Sequence, residues 1–198
     1  MTDPADRQPL TRQLIVDSAR DLIVARGVEA LSLRGLAGQL GVTAPALYAH
    51  IRDKRDILQA IAETEFGVLV ARFRAVATAD PVERIKGQNR AYVEHARDRP
   101  NLFRVMFLFA PEVSRADLPD GVTLPASTEA FTTAAAAVSD AIEGGVIVAP
   151  DPLLVTLALW AGVHGVAMIL QLGMGLPPDL EAALVDEVTD RILAGYRH

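Results

Sequence analysis

Residues 31–58 constrain the fold more than any other part of the sequence, because they divide into two short apolar helices separated by a glycine. Ser32 is predicted to cap the first helix, Gly41 to end it in the left-handed conformation, and Thr43 to cap the second. Helices this short cannot bury their apolar faces alone, so they must pack against the helices before and after them. The segment therefore predicts a helix-turn-helix inside a compact tri-helical unit.

Apolar residues recur every three or four positions through the rest of the chain, which is typical of helices, and no segment alternates as a strand would. Thr11 is predicted to cap a first helix that ends at Gly27, and Asp53 to cap a fourth and longer one. Prolines and glycines divide the remainder into about five more helices. The predicted fold class is therefore all-α, with about nine helices in total.

Three parts are predicted along the chain. Residues 1–10 form an N-terminal arm, residues 11–60 form the helix-turn-helix domain, with its motif near 33–52, and residues 61–198 form a larger helical domain. Residues 112–125 are predicted to be a loop, because proline and glycine recur in this segment.

Cysteine content and charge narrow the classes of function. The sequence has no cysteine, which excludes disulfides, thiolate metal sites and cysteine nucleophiles. Its net charge is −6, yet residues 32–55 hold four basic side chains against one acidic side chain, a net charge of +3. This segment is thus locally positive in a chain that is negative overall, which argues against a chain that coats nucleic acid indiscriminately.

Three sequence elements stand together in this segment. They are Leu-Ala-x-x-Leu-Gly-Val at residues 36–42, Leu47 followed by Tyr48, and His50-Ile51-x-x-Lys54 leading into Ile57 and Leu58. With these elements, the chain from Leu14 to about Ile61 resembles the DNA-binding domain of the TetR family of transcriptional repressors.

The resemblance implies double-stranded DNA as a partner, with phosphates held by Tyr48 and Lys54 and base edges met by neighbouring residues. The positions implied for DNA binding are Ser32, Arg34, Thr43, Ala44, Pro45, Ala46, Tyr48, His50 and Lys54. Ala44 and Ala46 depart from the pattern, since many relatives carry a hydrogen-bonding side chain there. Base recognition would then depend on Arg34, on Thr43 and on methyl contacts to thymine.

Each of these side chains also has a purely structural interpretation. The Tyr48 ring suits half-buried packing, and Arg34 and Arg52 suit a solvated surface. Lys54 is also consistent with a chance surface lysine, and His50 with a helix end, where a positive charge favours the dipole. The residues by themselves leave both interpretations open.

Residues 153–176 contain no charged side chain apart from His164, which raises the question of a membrane span. Four glycines lower helix stability in this run, and no lysine or arginine lies between Arg115 and Arg191 to anchor a span. We therefore predict no membrane contact, and a helix buried between its own domain and a second copy of the chain. The residues predicted for this homodimer interface are Leu157, Ala161, Ala167, Leu184, Val188 and Ile192.

Bulky and polarisable side chains predict a ligand pocket in the larger domain. Trp160 and His164 lie near one helical face, in a string that resembles the Trp, His-Gly signature of one C-terminal subclass of the TetR family. The predicted pocket residues are Phe103, Met106, Phe107, Trp160, His164 and Met168. Plain core packing is the alternative interpretation for each of them.

No catalytic constellation is recognisable in the sequence. The four histidines are dispersed, and there is no Gly-x-Ser-x-Gly, Walker loop or dinucleotide fingerprint. We expect neither an enzyme nor a cofactor or metal. The sequence predicts a cytoplasmic homodimer that represses transcription and is released from a palindromic operator by a small apolar ligand. The alternative is a helical ligand-binding protein or enzyme whose helix-turn-helix does not read DNA.

Overall fold

The computed structural model describes residues 9–108, 125–149 and 151–196. The predicted arm therefore lies outside the described residues except for Pro9 and Leu10, and so does the predicted loop except for Pro125. Within the described residues the chain forms nine α-helices and one 3₁₀ turn, Val28–Ala30, and no strand. The helices are α1 (Arg12–Arg26), α2 (Leu33–Leu40), α3 (Ala44–Tyr48), α4 (Lys54–Arg74), α5 (Pro81–Asp98), α6 (Pro100–Leu108), α7 (Ala126–Glu143), α8 (Pro152–Leu170) and α9 (Pro178–Ala194). The predicted all-α fold class is confirmed.

Most helix ends in the N-terminal part follow local sequence signals. The side chains of Thr11, Ser32 and Asp53 each accept a hydrogen bond from the backbone N–H three residues later, at 3.1, 3.1 and 2.8 Å. Gly41 ends α2 with a φ of 68°, in the left-handed region that favours glycine. These predicted caps are confirmed.

The cap predicted at Thr43 is different. Thr43 precedes α3, but its side chain accepts no capping hydrogen bond. The second residue of the helix is Pro45, which has no N–H to donate, and the Ala46 N–H bonds to the Thr43 carbonyl oxygen at 3.0 Å. The predicted side-chain cap is therefore wrong, and the Thr43 side chain is exposed.

The N-terminal core is formed by the apolar faces of α1 to α4 together with part of α6. Ile23, Leu36 and Leu47, from the first three helices, are fully buried in it. Leu102 and Val105 of α6 belong to the same core. The short helix α3 is thus positioned by burial rather than by its own helix propensity.

The larger unit is a bundle of α4 to α9. α4 passes without a break from the N-terminal core, where Ile61 lies, to the second core, where Phe66 lies. In the bundle α7 packs against α4 and α5, and α8 packs against α5, α7 and α9. The domain boundary predicted near residue 60 therefore falls inside one continuous helix.

α8 is the helix that covers most of the uncharged run. Length and composition alone would allow it to cross a membrane. It buries one side within the chain, with Val155, Leu159, Val163 and Val166. Gly162 allows α9 to approach closely, because a Cβ there would lie 2.7 Å from Ile192 Cδ1 and 2.8 Å from Val188 Cγ1. α8 is thus a packed helix of the bundle on one side and an apolar surface on the other.

Candidate DNA-binding surface and ligand cavity

α3 turns one side to the core and the other to solvent. Leu47 is fully buried, whereas the Tyr48 side chain is 55% exposed. Ala44 and Ala46 are half-buried, and Ala44 packs against the N-terminal core. The Ser32 oxygen serves in the cap of α2. Around α3 the exposed residues among those predicted to bind DNA are Thr43, Pro45, Tyr48 and His50. This side can offer a hydroxyl, a phenol and an imidazole to a partner.

Basic side chains flank α3. Arg34 is exposed and forms no ion pair with any described residue. The Arg52 side chain is 80% exposed, and among the described residues its only ion pair is a 3.4 Å contact with the Asp56 carboxylate. Lys54 is half-buried, and its Nζ donates a hydrogen bond to the Leu31 carbonyl oxygen at 2.6 Å. Arg34 and Arg52 are therefore available to an anion, while Lys54 also has a structural role that the sequence did not indicate.

A carboxylate that sequence analysis did not single out links α1 to α4 in the N-terminal unit. Asp56 is buried and accepts two hydrogen bonds from the Arg12 guanidinium, at 2.8 and 2.9 Å, and one from the Arg52 backbone N–H at 3.0 Å. Hydrogen bonding to Arg12 lowers the pKa of Asp56 to about 2. Because Arg12 and Asp56 are 44 positions apart, local patterns could not pair them.

A cavity of about 230 Å³ lies in the larger unit between α4, α5, α6, α7 and α8. Its lining residues are Phe66, Leu69, Phe73, Ile85, Gln88, Asn89, Tyr92, Phe107, Ser127, Ala130, Phe131, Ala134, Val138, Thr156, Leu159, Trp160 and Val163. Six of these side chains are aromatic, and no described residue that lines the cavity is charged. Such a lining suits a mainly apolar molecule.

Two of the six residues predicted for the pocket, Phe107 and Trp160, line this cavity. Phe103 and Met106 are fully buried and do not line it. The Phe103 ring lies behind the wall, with its centroid 5.0 Å from that of Phe107. Met168 is 44% exposed and does not line the cavity either. Helical spacing places these side chains on neighbouring helix faces. The packing of the helices against each other decides which of them line the cavity.

His164 stands behind the cavity wall, in a chain of hydrogen bonds with Tyr92 and Trp160. The indole N–H of Trp160 can only donate, so the Tyr92 oxygen accepts from it at 3.1 Å. The Tyr92 oxygen also lies 2.8 Å from His164 Nδ1, and its hydroxyl donates to this nitrogen when the neutral ring carries its proton on Nε2. Burial lowers the pKa of His164, which favours the neutral ring that this bond requires. Tyr92, which sequence analysis did not single out, is thus the centre of the group.

α6 connects the cavity to the N-terminal unit. Phe107 lines the cavity, while Leu102 and Val105 on the same helix belong to the N-terminal core. The Asn101 side chain also donates a hydrogen bond to the Val24 carbonyl oxygen of α1 at 3.2 Å. A displacement of α6 would therefore act on both units.

The residues predicted for a dimer interface differ in exposure. Leu157 and Ala161 are exposed on α8. Those of α9 are half-buried: Leu184, Val188 and Ile192. Ala167 is only 1% exposed, because it packs in the core of its own chain, and this corrects its place in the predicted interface. The exposed large apolar side chains from α8 onwards are Leu153, Leu154, Leu157, Trp160, Met168, Ile169, Leu172, Met174 and Leu180.

Acidic and histidine side chains form no candidate metal site in the part of the chain that the structure describes. His50 is exposed, His95 is fully buried and His164 is half-buried, so the three lie in different surroundings. His198, the fourth histidine, lies outside the described residues.

Comparison with known proteins gives matches over both units. Residues 15–61 match the family described as bacterial regulatory proteins, tetR family, and residues 85–192 match the tetracyclin repressor-like C-terminal domain. An uncharacterised HTH-type transcriptional regulator of Mycobacterium tuberculosis is 26% identical over 190 residues, which are 94% of this chain and 81% of that protein.

Solved structures agree with the fold. A protein with unknown function from Rhodococcus sp. superimposes with a TM-score of 0.78 at 25% identity, covering 99% of this chain and 100% of that chain. A TetR variant from Acinetobacter baumannii, in complex with minocycline, has a TM-score of 0.67 at 21% identity, covering 94% of this chain and 96% of that chain.

The two family matches together cover the helix-turn-helix and more than half of the chain. Neither description names the Trp, His-Gly subclass, which stays a prediction. The chain belongs to the TetR family of transcriptional regulators.

Proposed function

We propose that the chain is a cytoplasmic homodimeric repressor, which leaves a palindromic operator when a small and mainly apolar molecule fills the cavity. In this proposal residues 1–10 are an arm, residues 11–60 bind DNA, and residues 61–198 bind the ligand and dimerise. The observation that carries the proposal is the position of α6, which contributes both to the cavity wall and to the N-terminal core. The proposed activity needs neither a cofactor nor a catalytic step.

DNA contact is supported by the exposed side of α3 and by the positive charge of its surroundings. Tyr48 would donate its hydroxyl to a phosphate, and Arg34 would reach base edges in the major groove. The other proposed contacts are Ser32, Thr43, Ala44, Pro45, Ala46, His50 and Lys54. Among them the two alanines would contribute only methyl contacts.

Dimerisation is supported by the exposed apolar side of α8. A second copy of the same side would cover it, with α9 beside it, as expected for a two-fold symmetric interface. Such a dimer would hold its two α3 helices about 34 Å apart, one turn of DNA, which is why the proposed operator is palindromic.

Control of DNA binding by a ligand is supported by the position of α6 between the cavity and the N-terminal core. A molecule against Phe107 would displace this helix, and Leu102 and Val105 would carry the displacement into the N-terminal core. A ligand that fits only the dimer with wrongly spaced α3 helices shifts the population away from the DNA-bound form. The minocycline complex of the Acinetobacter protein, which shares the fold, supports a small molecule as the effector.

Arg34→Ala tests the assignment of DNA reading. Because Arg34 is exposed and unpaired among the described residues, its loss should leave the melting temperature unchanged. We expect it to weaken binding to the preferred operator by about 1 to 3 kcal/mol and to relax the choice of one base pair in each half-site. Fluorescence anisotropy with operator variants measures both effects.

Tyr48→Phe is the contrasting variant, since a lost phosphate contact should weaken binding to every DNA sequence equally. Arg97→Ala is the control, because Arg97 is also exposed but lies on α5, outside the helix-turn-helix and the proposed dimer interface. If Arg34→Ala weakened binding to random DNA as much as to the operator, Arg34 would be a phosphate contact. If Arg34→Ala changed neither the affinity for the operator nor the affinity for random DNA, the helix-turn-helix would not read DNA through this residue.

A further inference from the structure

One cavity residue has no protein partner. Gln88 is only 4% exposed, yet it lines the cavity, and its side-chain amide forms no hydrogen bond with any described residue. The amide is not among the fully buried unpartnered groups of the described residues, so it reaches the open space of the cavity, where a polar group of a bound molecule can pair with it. Gln88 lies with Ile85, Asn89 and Tyr92 on one face of α5, because these residues are three or four positions apart. All four line the cavity, so Gln88 belongs to its wall.

The other polar groups that line the cavity differ from Gln88. Asn89 donates to Thr189 at 3.0 Å, and Thr156 donates to the carbonyl oxygen of Pro152 at 2.8 Å. The Tyr92 hydroxyl is occupied by Trp160 and His164. Ser127 is only half-buried, so water can serve it. Gln88 is therefore the buried lining side chain that has no protein partner at all among the described residues, and a ligand would satisfy its hydrogen-bonding capacity.

We infer that the cavity takes an uncharged aromatic molecule of about two fused rings, with one hydroxyl or carbonyl group that pairs with the Gln88 amide. The inference rests on the proposed function, since it names the class of the effector. The size follows from the volume of about 230 Å³, because an apolar cavity of about 150 Å³ already holds benzene. The absence of charge follows from a lining without a charged described residue, which would leave an ionised ligand unpaired.

The test uses calorimetric titration of the full chain, without DNA, with naphthol, naphthalene and naphthoate at neutral pH. These probes share one ring system and differ in the polar group and its charge. We expect naphthol to bind about 3- to 10-fold more tightly than naphthalene, as one hydrogen bond to a buried partner allows. Naphthoate should bind more weakly than naphthol by at least about tenfold.

Gln88→Leu keeps the volume of the side chain and removes its amide. It should bind naphthol and naphthalene equally, and its melting temperature should equal or exceed that of the parent, because it removes a cavity-facing amide that has no protein partner. Gln171→Leu is the control: Gln171 Nε2 is buried without a partner, and Gln171 does not line the cavity. This variant should keep the preference for naphthol.

Three results would overturn the inference: no preference for naphthol, a preference that survives in Gln88→Leu, or tightest binding of naphthoate. A lower melting temperature of Gln88→Leu would assign Gln88 a structural role and overturn it as well. If naphthol binds as expected but does not release operator DNA, the inference stands and the proposed effector control fails.

Discussion

Replacing Ala161 with aspartate is expected to convert the protein to a monomer and to abolish operator binding. Ala161 is exposed on the apolar side of α8, next to Leu157 on the helix surface, so a carboxylate there meets water in the single chain. In the proposed dimer the same carboxylate would be buried without a partner, which costs several kcal/mol. Operator binding should fail too, because one N-terminal unit makes too few contacts. Sedimentation and anisotropy measure the two effects.

Ala71→Asp is the matched control, because Ala71 is an exposed alanine on α4, away from the apolar side of α8. It should remain dimeric and bind DNA. Val188→Asp is less informative, since Val188 lies against Gly162 of its own chain and the variant would destabilise the fold itself. A dimeric Ala161→Asp would place the interface on another surface.

The second large effect is expected from Arg99→Met, which should destabilise the chain by about 3 to 5 kcal/mol. Glu65 of α4 is fully buried, and its carboxylate accepts hydrogen bonds from Arg99 Nε and Nη2 at 2.6 and 2.8 Å. Without Arg99 the carboxylate would be a buried and unpaired charge. His95 lies 3.9 Å from it, but burial lowers the pKa of His95 to about 4, so Arg99 is the cation that pairs with Glu65 in the parent chain at neutral pH. Urea unfolding at neutral pH measures the loss.

Arg97→Met provides the control, because Arg97 is exposed and contacts only Asp98, at 3.6 Å, among the described residues. It should change stability by less than about 0.5 kcal/mol. Adding Glu65→Leu to Arg99→Met should restore most of the lost stability, since no buried charge would remain. A small effect of Arg99→Met alone would mean that Glu65 reaches water or another partner.

Features that depend on neighbours in the sequence could be predicted from it. The caps at Thr11, Ser32 and Asp53 each use an N–H three residues away, and the left-handed turn at Gly41 needs only that glycine. The side-chain cap predicted at Thr43 is absent, because Pro45 lacks one of the backbone N–H groups that donate to such a cap. Apolar spacing likewise predicted the helices, since helix period and burial are both local patterns.

Features that depend on how distant helices pack could not be predicted. The Glu65 and Arg99 pair joins α4 to the residue between α5 and α6, 34 positions away in the sequence. Gln88 is followed by Asn89 and Arg90 and resembles a surface position, although Ile85 and Tyr92 on the same helical face were a usable signal. Phe103 was expected to line the cavity, yet it packs behind Phe107. Which residues of α6 line the cavity depends on how the other helices pack around it, and this is not visible in the sequence.

Two copies of the chain are proposed to recognise one DNA site by its sequence. The most direct test is an anisotropy titration of the purified protein with DNA from upstream of its own gene, at a stated salt concentration, because affinity for DNA depends strongly on salt. We predict saturation at two chains per duplex, with binding at least about 10³-fold tighter than to random DNA of the same length. Equal affinity for both duplexes, or saturation by a single chain, would contradict the account.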